Sequence, residues 1–163
     1  MSIETLDDLF LHTLKDVLYA ERKILKALPK MERNATDAKL KAALSSHRDE
    51  TEDHVTRLEE VFEGLGKPAR GAKCDAMVGL VEEAEGLMAD IESPGTMDAA
   101  IISLAQAVEH YEIARYGTLV VWAQQLDHKD AAGLLQMTLD EERSADKALS
   151  RLAEDRINAD AMA

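Results

Sequence analysis

The sequence predicts an all-α chain, an antiparallel four-helix bundle of one domain over residues 1–163 with a short fifth helix in a long crossover. Three observations lead there. Helix formers such as Ala, Leu, Glu, Lys and Met dominate, whereas 8 Gly, 3 Pro and 4% aromatic residues leave little material for strands and turns. Apolar residues recur at three- and four-residue spacing along four long stretches. The breaks between those stretches run short, long, short, so two helical hairpins are joined by one crossover.

The first stretch carries Leu6, Leu9, Phe10, Leu14, Val17, Leu18, Ile24, Leu25 and Leu28 on one face. Thr5 fits its N-cap with Asp8 at N3. Pro29 lies inside the pattern and is expected to kink the helix before it ends near Asn34. Thr36 or Asp37 can cap the second helix, whose stripe includes Leu40, Leu44, His47, Glu50, Thr51, His54, Leu58, Val61 and Phe62 and stops at Gly64. Residues 65–95 read as the crossover, with one short amphipathic helix from about Asp75 to Ile91.

Thr96 is the expected cap of the third long helix, with Ile101, Ile102, Ala105, Val108, Glu109, Glu112, Tyr116, Leu119 and Val120 inward. After Leu126-Asp127-His128 the chain turns, and Asp130 opens a fourth helix whose stripe runs from Leu134 to Leu152. The last few residues are expected to fray.

Charge and cysteine content narrow the function classes. With 19 Lys plus Arg against 32 Asp plus Glu the formal charge is −13, which opposes a phosphate backbone and excludes nucleic acid as an expected partner. Cys74 is the sole cysteine, so neither an intramolecular disulfide nor a thiolate cluster can form, and a reducing cytoplasm suits the chain. The N-terminus lacks the basic and apolar regions of a signal peptide, and no apolar run of membrane-spanning length occurs. The expectation is a cytoplasmic protein without a membrane partner.

The informative charges are those that interrupt the apolar stripes. Glu21 follows Leu18 by three residues and precedes Leu25 by four, which places its carboxylate on the buried face of the first helix. The same count turns His47, Glu50 and His54 inward on the second helix, Glu109 and Glu112 on the third, and Glu142 and Asp146 on the fourth. All lie near the midpoints of antiparallel helices and so converge. Isolated buried carboxylates are too costly to cluster without protonation, pairing or metal. A Glu on each arm of both hairpins is the arrangement of ferritin-like di-metal carboxylate bundles. Hard oxygen ligands with imidazole favour iron(II), or alternatively manganese, as a pair of ions.

The strings His47-Arg48-Asp49-Glu50-Thr51, Val108-Glu109-His110-Tyr111-Glu112-Ile113-Ala114-Arg115-Tyr116-Gly117-Thr118 and Leu139-Asp140-Glu141-Glu142 resemble the YciF/YciE-type bacterial stress proteins, a ferritin-like family. The likeness extends to Ala20-Glu21 and Ala27-Leu28-Pro29-Lys30-Met31. It implies a rubrerythrin-like bundle, a homodimer, a di-metal site and a role in stress response. By position Glu21, Glu50, Glu109, Glu112 and Glu142 look like the ligands.

The chain departs from the usual Glu-x-x-His spacing. Three residues after Glu50 stands Asp53, and three after Glu142 stands Ala145. His54 at i+4 still shares a helix face with Glu50, and Asp146 holds the matching place after Glu142. The nitrogen ligand is therefore His54, with His47 as the alternative, and surplus carboxylates such as Asp146 fall behind the ligands. Tyr116 either hydrogen-bonds the site or packs in the core. No rubredoxin-type centre can be built on one cysteine, so reaction with O₂ or peroxide requires an external electron donor; the alternative is a binding or scaffold role without turnover.

Overall fold

The computed structural model describes residues 3–162; Met1, Ser2 and Ala163, the outermost residues of the expected domain, lie outside the described residues. Helix α1 spans Leu6–Asn34 and opens with a reciprocal capping box. Thr5 Oγ1 accepts from the Asp8 amide at 3.2 Å while Asp8 Oδ2 accepts from the Thr5 amide at 3.1 Å. Pro29 sits inside α1, and the helix runs past it to Asn34. Helix α2, Ala38–Gly64, is capped by Asp37, whose Oδ1 accepts from Leu40 N at 2.9 Å.

The crossover carries α3, Asp75–Asp90. Its leading strap lies on α1, where Ala72 N donates to Lys15 O at 3.0 Å. A Cβ at Gly71 would stand 3.1 Å from the Tyr19 backbone nitrogen, so glycine permits that close approach. Helix α4, Pro94–Gln125, starts two residues before the expected Thr96 cap, because Ser93 caps it and Pro94 occupies the first turn, where a missing N–H costs nothing. Asp127, at φ 59, turns the chain into α5, Lys129–Leu152.

The expected fraying is replaced by continued helix: a π turn over Ala153–Ile157 and a last turn, α6, Asn158–Asp160. Burial of Ile157 in the core and an ion pair from Arg156 to Asp37 hold this end down.

Helices α1 and α2 form one hairpin and α4 and α5 the other, with α2 packed on α5 and α1 on α4. Helix α3 lies across α1 and α4. The apolar core is split in two. One half gathers Ile24, Leu28, Met31, Leu40, Leu44 and Ile101 with α3, and the other gathers Phe10, Leu14, Leu58, Phe62, Leu119 and Leu135. The inward polar residues occupy the waist between the halves.

A second buried acid serves the fold and was not anticipated by the stripes. Asp98, 5% exposed on α4, receives Thr36 N at 2.6 Å, Thr36 Oγ1 at 2.5 Å and Asp37 N at 2.9 Å. It ties the α1–α2 turn to the second hairpin. Asp98→Ala strands these donors and is expected to cost about 3 kcal/mol, read as a lower urea midpoint with an unchanged slope.

Candidate metal centre

Four helices deliver six ionisable side chains to the waist. Glu21 comes from α1, His47 and His54 from α2, Glu109 and Glu112 from α4, and Glu142 from α5; none exceeds 6% exposure. They fall into two groups, each with its ligand atoms within 4.8 Å of one another: Glu21, His54 and Glu142, and His47, Glu109, Glu112 and Glu142. Glu142 is common to both. Its two oxygens can therefore face two neighbouring cation positions.

The test of whether a metal pair fits is the state of the polar atoms. Glu112 and Glu142 have no hydrogen-bond partner on either oxygen, Glu21 and Glu109 lack one on Oε2, and both His47 nitrogens and His54 Nδ1 are likewise unpartnered. A packed interior rarely leaves even a few such groups orphaned. His54 Nδ1 stands 3.0 Å from Glu142 Oε1 and 3.4 Å from Glu21 Oε1, and His47 Nε2 is 3.2 Å from Glu109 Oε1, without the alignment of hydrogen bonds. Buried oxygens and imidazole nitrogens converge there with few hydrogen bonds among them. That donor set of carboxylates and imidazoles fits divalent cations.

Neighbouring groups aim these side chains. The Tyr116 hydroxyl donates a short hydrogen bond to Glu21 Oε1, so Oε2 is left for a cation. His54 Nε2 meets Glu141 Oε2 at 2.9 Å; facing an anion, it carries the proton, which leaves Nδ1 as the free lone pair on the site side. Glu141 is gripped in turn by both Arg57 guanidinium nitrogens at 2.5 and 2.9 Å. Partial burial pushes the Glu141 carboxyl up, but Arg57 outweighs it and holds the group below its usual range. A carboxylate behind a histidine is the support that metal-ligating imidazoles ordinarily have.

Without metal the cluster shares protons. Burial first, then neighbouring carboxylates, drive Glu109 and Glu112 well above their ordinary range. For Glu142, burial acts upward but contacts with Glu109 and His54 prevail and hold it low. Burial would depress His54, yet Glu142 and Glu21 beside it raise the imidazole to about 10. Two neutral acids on α4 thus face a carboxylate–imidazolium pair.

Of the sequence-predicted ligands, Glu21, His54, Glu109, Glu112 and Glu142 are brought together. Glu50 and Asp146 are not. The Glu50 side chain is 41% exposed, with Oε2 3.8 Å from His47 Nδ1, and Glu50 belongs to neither ligand group. It stands about 60–70 degrees round α2 from the centre of the His47, Thr51, His54 and Leu58 stripe. Asp146 accepts from Gln106 Nε2 at 2.9 Å and meets His110 Nε2 at 3.2 Å, which makes it a clamp between α4 and α5. His47, the alternative nitrogen ligand, joins the cluster alongside His54, so α2 offers two imidazoles and no carboxylate.

Sequence reasoning missed Glu141 and Arg57, although Arg57 follows His54 by three residues on the same face of α2. Two cavities reach the His47–Glu109 edge of the site. One, of about 30 Å³, is apolar and walled by α1, α3 and α4; the other, of about 180 Å³, lies between α2 and α5. Among the described residues no helix is long and apolar enough to cross a membrane.

Comparison with known proteins agrees with this architecture. The model of a family described as a domain of unknown function, DUF892, matches residues 5–162. The protein YciF of Escherichia coli K12 is 41% identical over 159 residues, 97% of this chain and 96% of its own length. The crystal structure of that E. coli protein, called a stress protein, superposes with a TM-score of 0.91 over 96% of this chain and 99% of the other. YcfI of Rhodopseudomonas palustris, described as a proposed structural protein, gives a TM-score of 0.90 at 47% identity, covering 91% of this chain and 95% of the other. A protein from Xanthomonas campestris pv. campestris shares the fold at 20% identity, with a TM-score of 0.76 over 96% of both chains.

Proposed function

We infer, from the premise that the chain belongs to the DUF892 family, that its bundle holds a pair of iron ions, with manganese as the alternative, at the waist. One observation carries this reading: among the described residues, the buried side-chain oxygens and imidazole nitrogens that lack hydrogen-bond partners all belong to the two groups that share Glu142. Glu21 and His54 would hold one ion, His47, Glu109 and Glu112 the other, and Glu142 both. Such a pair, when bound, would supply one-electron steps toward O₂ or peroxide.

The chain's own residues have separable parts in this. Tyr116 fixes the rotamer of Glu21, Arg57 and Glu141 fix the His54 ring, and the apolar halves of the core keep bulk water from the ligands. Glu109, Glu112 and His54 would give up protons on binding cations. A role in stress response, suggested by the description of the E. coli relative as a stress protein, and a homodimer extend the proposal, with light scattering at twice 17.9 kDa as the check on the dimer.

The test is ferrous ion added anaerobically, metal counted per chain, and then O₂ admitted while near-ultraviolet absorbance is followed. About two irons per chain with rapid ferric absorbance is the expected result. Two irons without that signal would leave a metal held for structure, in line with the description of the R. palustris relative as a proposed structural protein. No bound iron would sink the reading. Glu141→Gln, by weakening the grip on His54, is expected to lower affinity about 10–100-fold in a chelator competition.

A further inference from the structure

We propose that Glu50 marks the port by which divalent cations enter the waist, an inference that rests on the metal-centre reading above. The port is the cavity of about 180 Å³ between α2 and α5. Beside Leu44 and Leu149 its walls are mostly small residues, Ala43 and Ser46 from α2 with Ser144, Ala145 and Ala148 from α5. Side chains of this size leave open a seam that leucine would fill, although α2 and α5 otherwise pack closely.

The two ends of the cavity differ. At its inner end lie His47 and Glu109, 6% and 1% exposed, with both His47 nitrogens and Glu109 Oε2 unpartnered. At its outer end stands the Glu50 carboxylate, 41% exposed and 3.8 Å from His47 Nδ1. A cation leaving water meets Glu50 first, then an imidazole, then the buried carboxylates. Each step replaces lost hydration by a ligand atom. The smaller cavity on the opposite side also reaches His47 and Glu109, but its outer acid, Glu85, is paired with Lys30 at 3.3 Å, and Ile24, Leu28, Val81 and Met88 make most of the path between apolar.

This accounts for the placement of Glu50. Sequence spacing put it beside His54 as a ligand, whereas it occupies the rim from which a ligand atom reaches solvent and His47 alike.

The experiment is stopped-flow loading of the full chain with Co²⁺ alone, followed by the visible absorbance of the bound ion, with cobalt per chain counted at the end. Glu50→Gln and Ala145→Leu are each expected to slow loading by about tenfold or more while the final count equals that of the unaltered chain, and lower ionic strength should speed the unaltered chain more than Glu50→Gln. Ala84→Leu, which fills the apolar cavity instead, should load at the ordinary rate. Ordinary rates in Glu50→Gln and Ala145→Leu, or slowing confined to Ala84→Leu, would overturn the port. A lower final count in Glu50→Gln would overturn it too, since Glu50 would then be a ligand of the loaded centre. An unaltered chain that takes up no cobalt would instead overturn the metal-centre reading beneath it.

Discussion

Glu142→Ala is expected to empty both proposed metal positions, not one. Glu142 is the only residue common to the two groups, and each of its oxygens is buried without a hydrogen-bond partner. Truncation would remove one proposed ligand from each ion together with the negative charge shared by the two groups. The loss should exceed the about 10–100-fold typical of removing an outer partner such as Glu141. Glu142→Gln keeps the volume and separates this effect from a packing defect; it should also fail to hold two ions while retaining helical circular dichroism. Retention of two tightly held ions by both variants would contradict the shared role. Glu50→Ala, by contrast, is expected to keep both at equilibrium, since Glu50 belongs to neither group.

Metal loading is expected to stabilise the fold and to flatten its pH response. Ion present at about a hundred times its dissociation constant adds about 2.7 kcal/mol per site, and about 5–11 °C in melting temperature for a chain of this size. The metal-free chain should weaken as pH rises, and the sign follows from which state binds more protons. Glu109 and Glu112 are raised well above 4.5 in the fold, so native chains bind more protons than unfolded ones from about pH 4.5 upward. Their contribution is full below that pH and is lost as pH climbs through their folded values.

His54 acts in the same direction, full below 6.5 and lost as pH rises through about 10. Glu142, held low, works oppositely and only at the acid end. Melting curves of chelator-treated protein between pH 5 and pH 9 should therefore fall, while loaded protein stays level. A metal-free chain that gains stability across that range would contradict the proton distribution in the waist.

The helices were legible because their apolar stripes are regular and their caps are local. Thr5-Leu6-Asp7-Asp8 forms the capping box that its spacing predicts, and α2 stops at Gly64. The start of α4 misled because Thr96 is an acceptable cap, whereas Ser93 followed by Pro94 is a better one. The C-terminal turns were missed because the burial of Ile157 and the Arg156–Asp37 pair arise only from tertiary packing.

The site was legible to the accuracy of a helical wheel. Glu21, Glu109, Glu112 and Glu142 lie near the centres of their stripes and converge. On α2 the wheel put His47, Glu50 and His54 within one broad face and could not rank them, and packing against α5 turned Glu50 out to the rim. Asp146 shares a face with Glu142 but finds Gln106 and His110 across the helix pair first. Glu141 and Asp98 carried no stripe signal, since the value of each depends on partners at least 61 residues away in sequence, Arg57 and Asp37 being the nearest.

Anomalous diffraction from crystals of the chain loaded anaerobically with ferrous ion tests the central claim most directly. Two strong iron peaks per chain at the waist are predicted, one beside Glu21 and His54 Nδ1 and one beside His47, Glu109 and Glu112, with Glu142 reaching both. Iron scattered over surface acids, with the waist empty and its ligands paired among themselves, would contradict it.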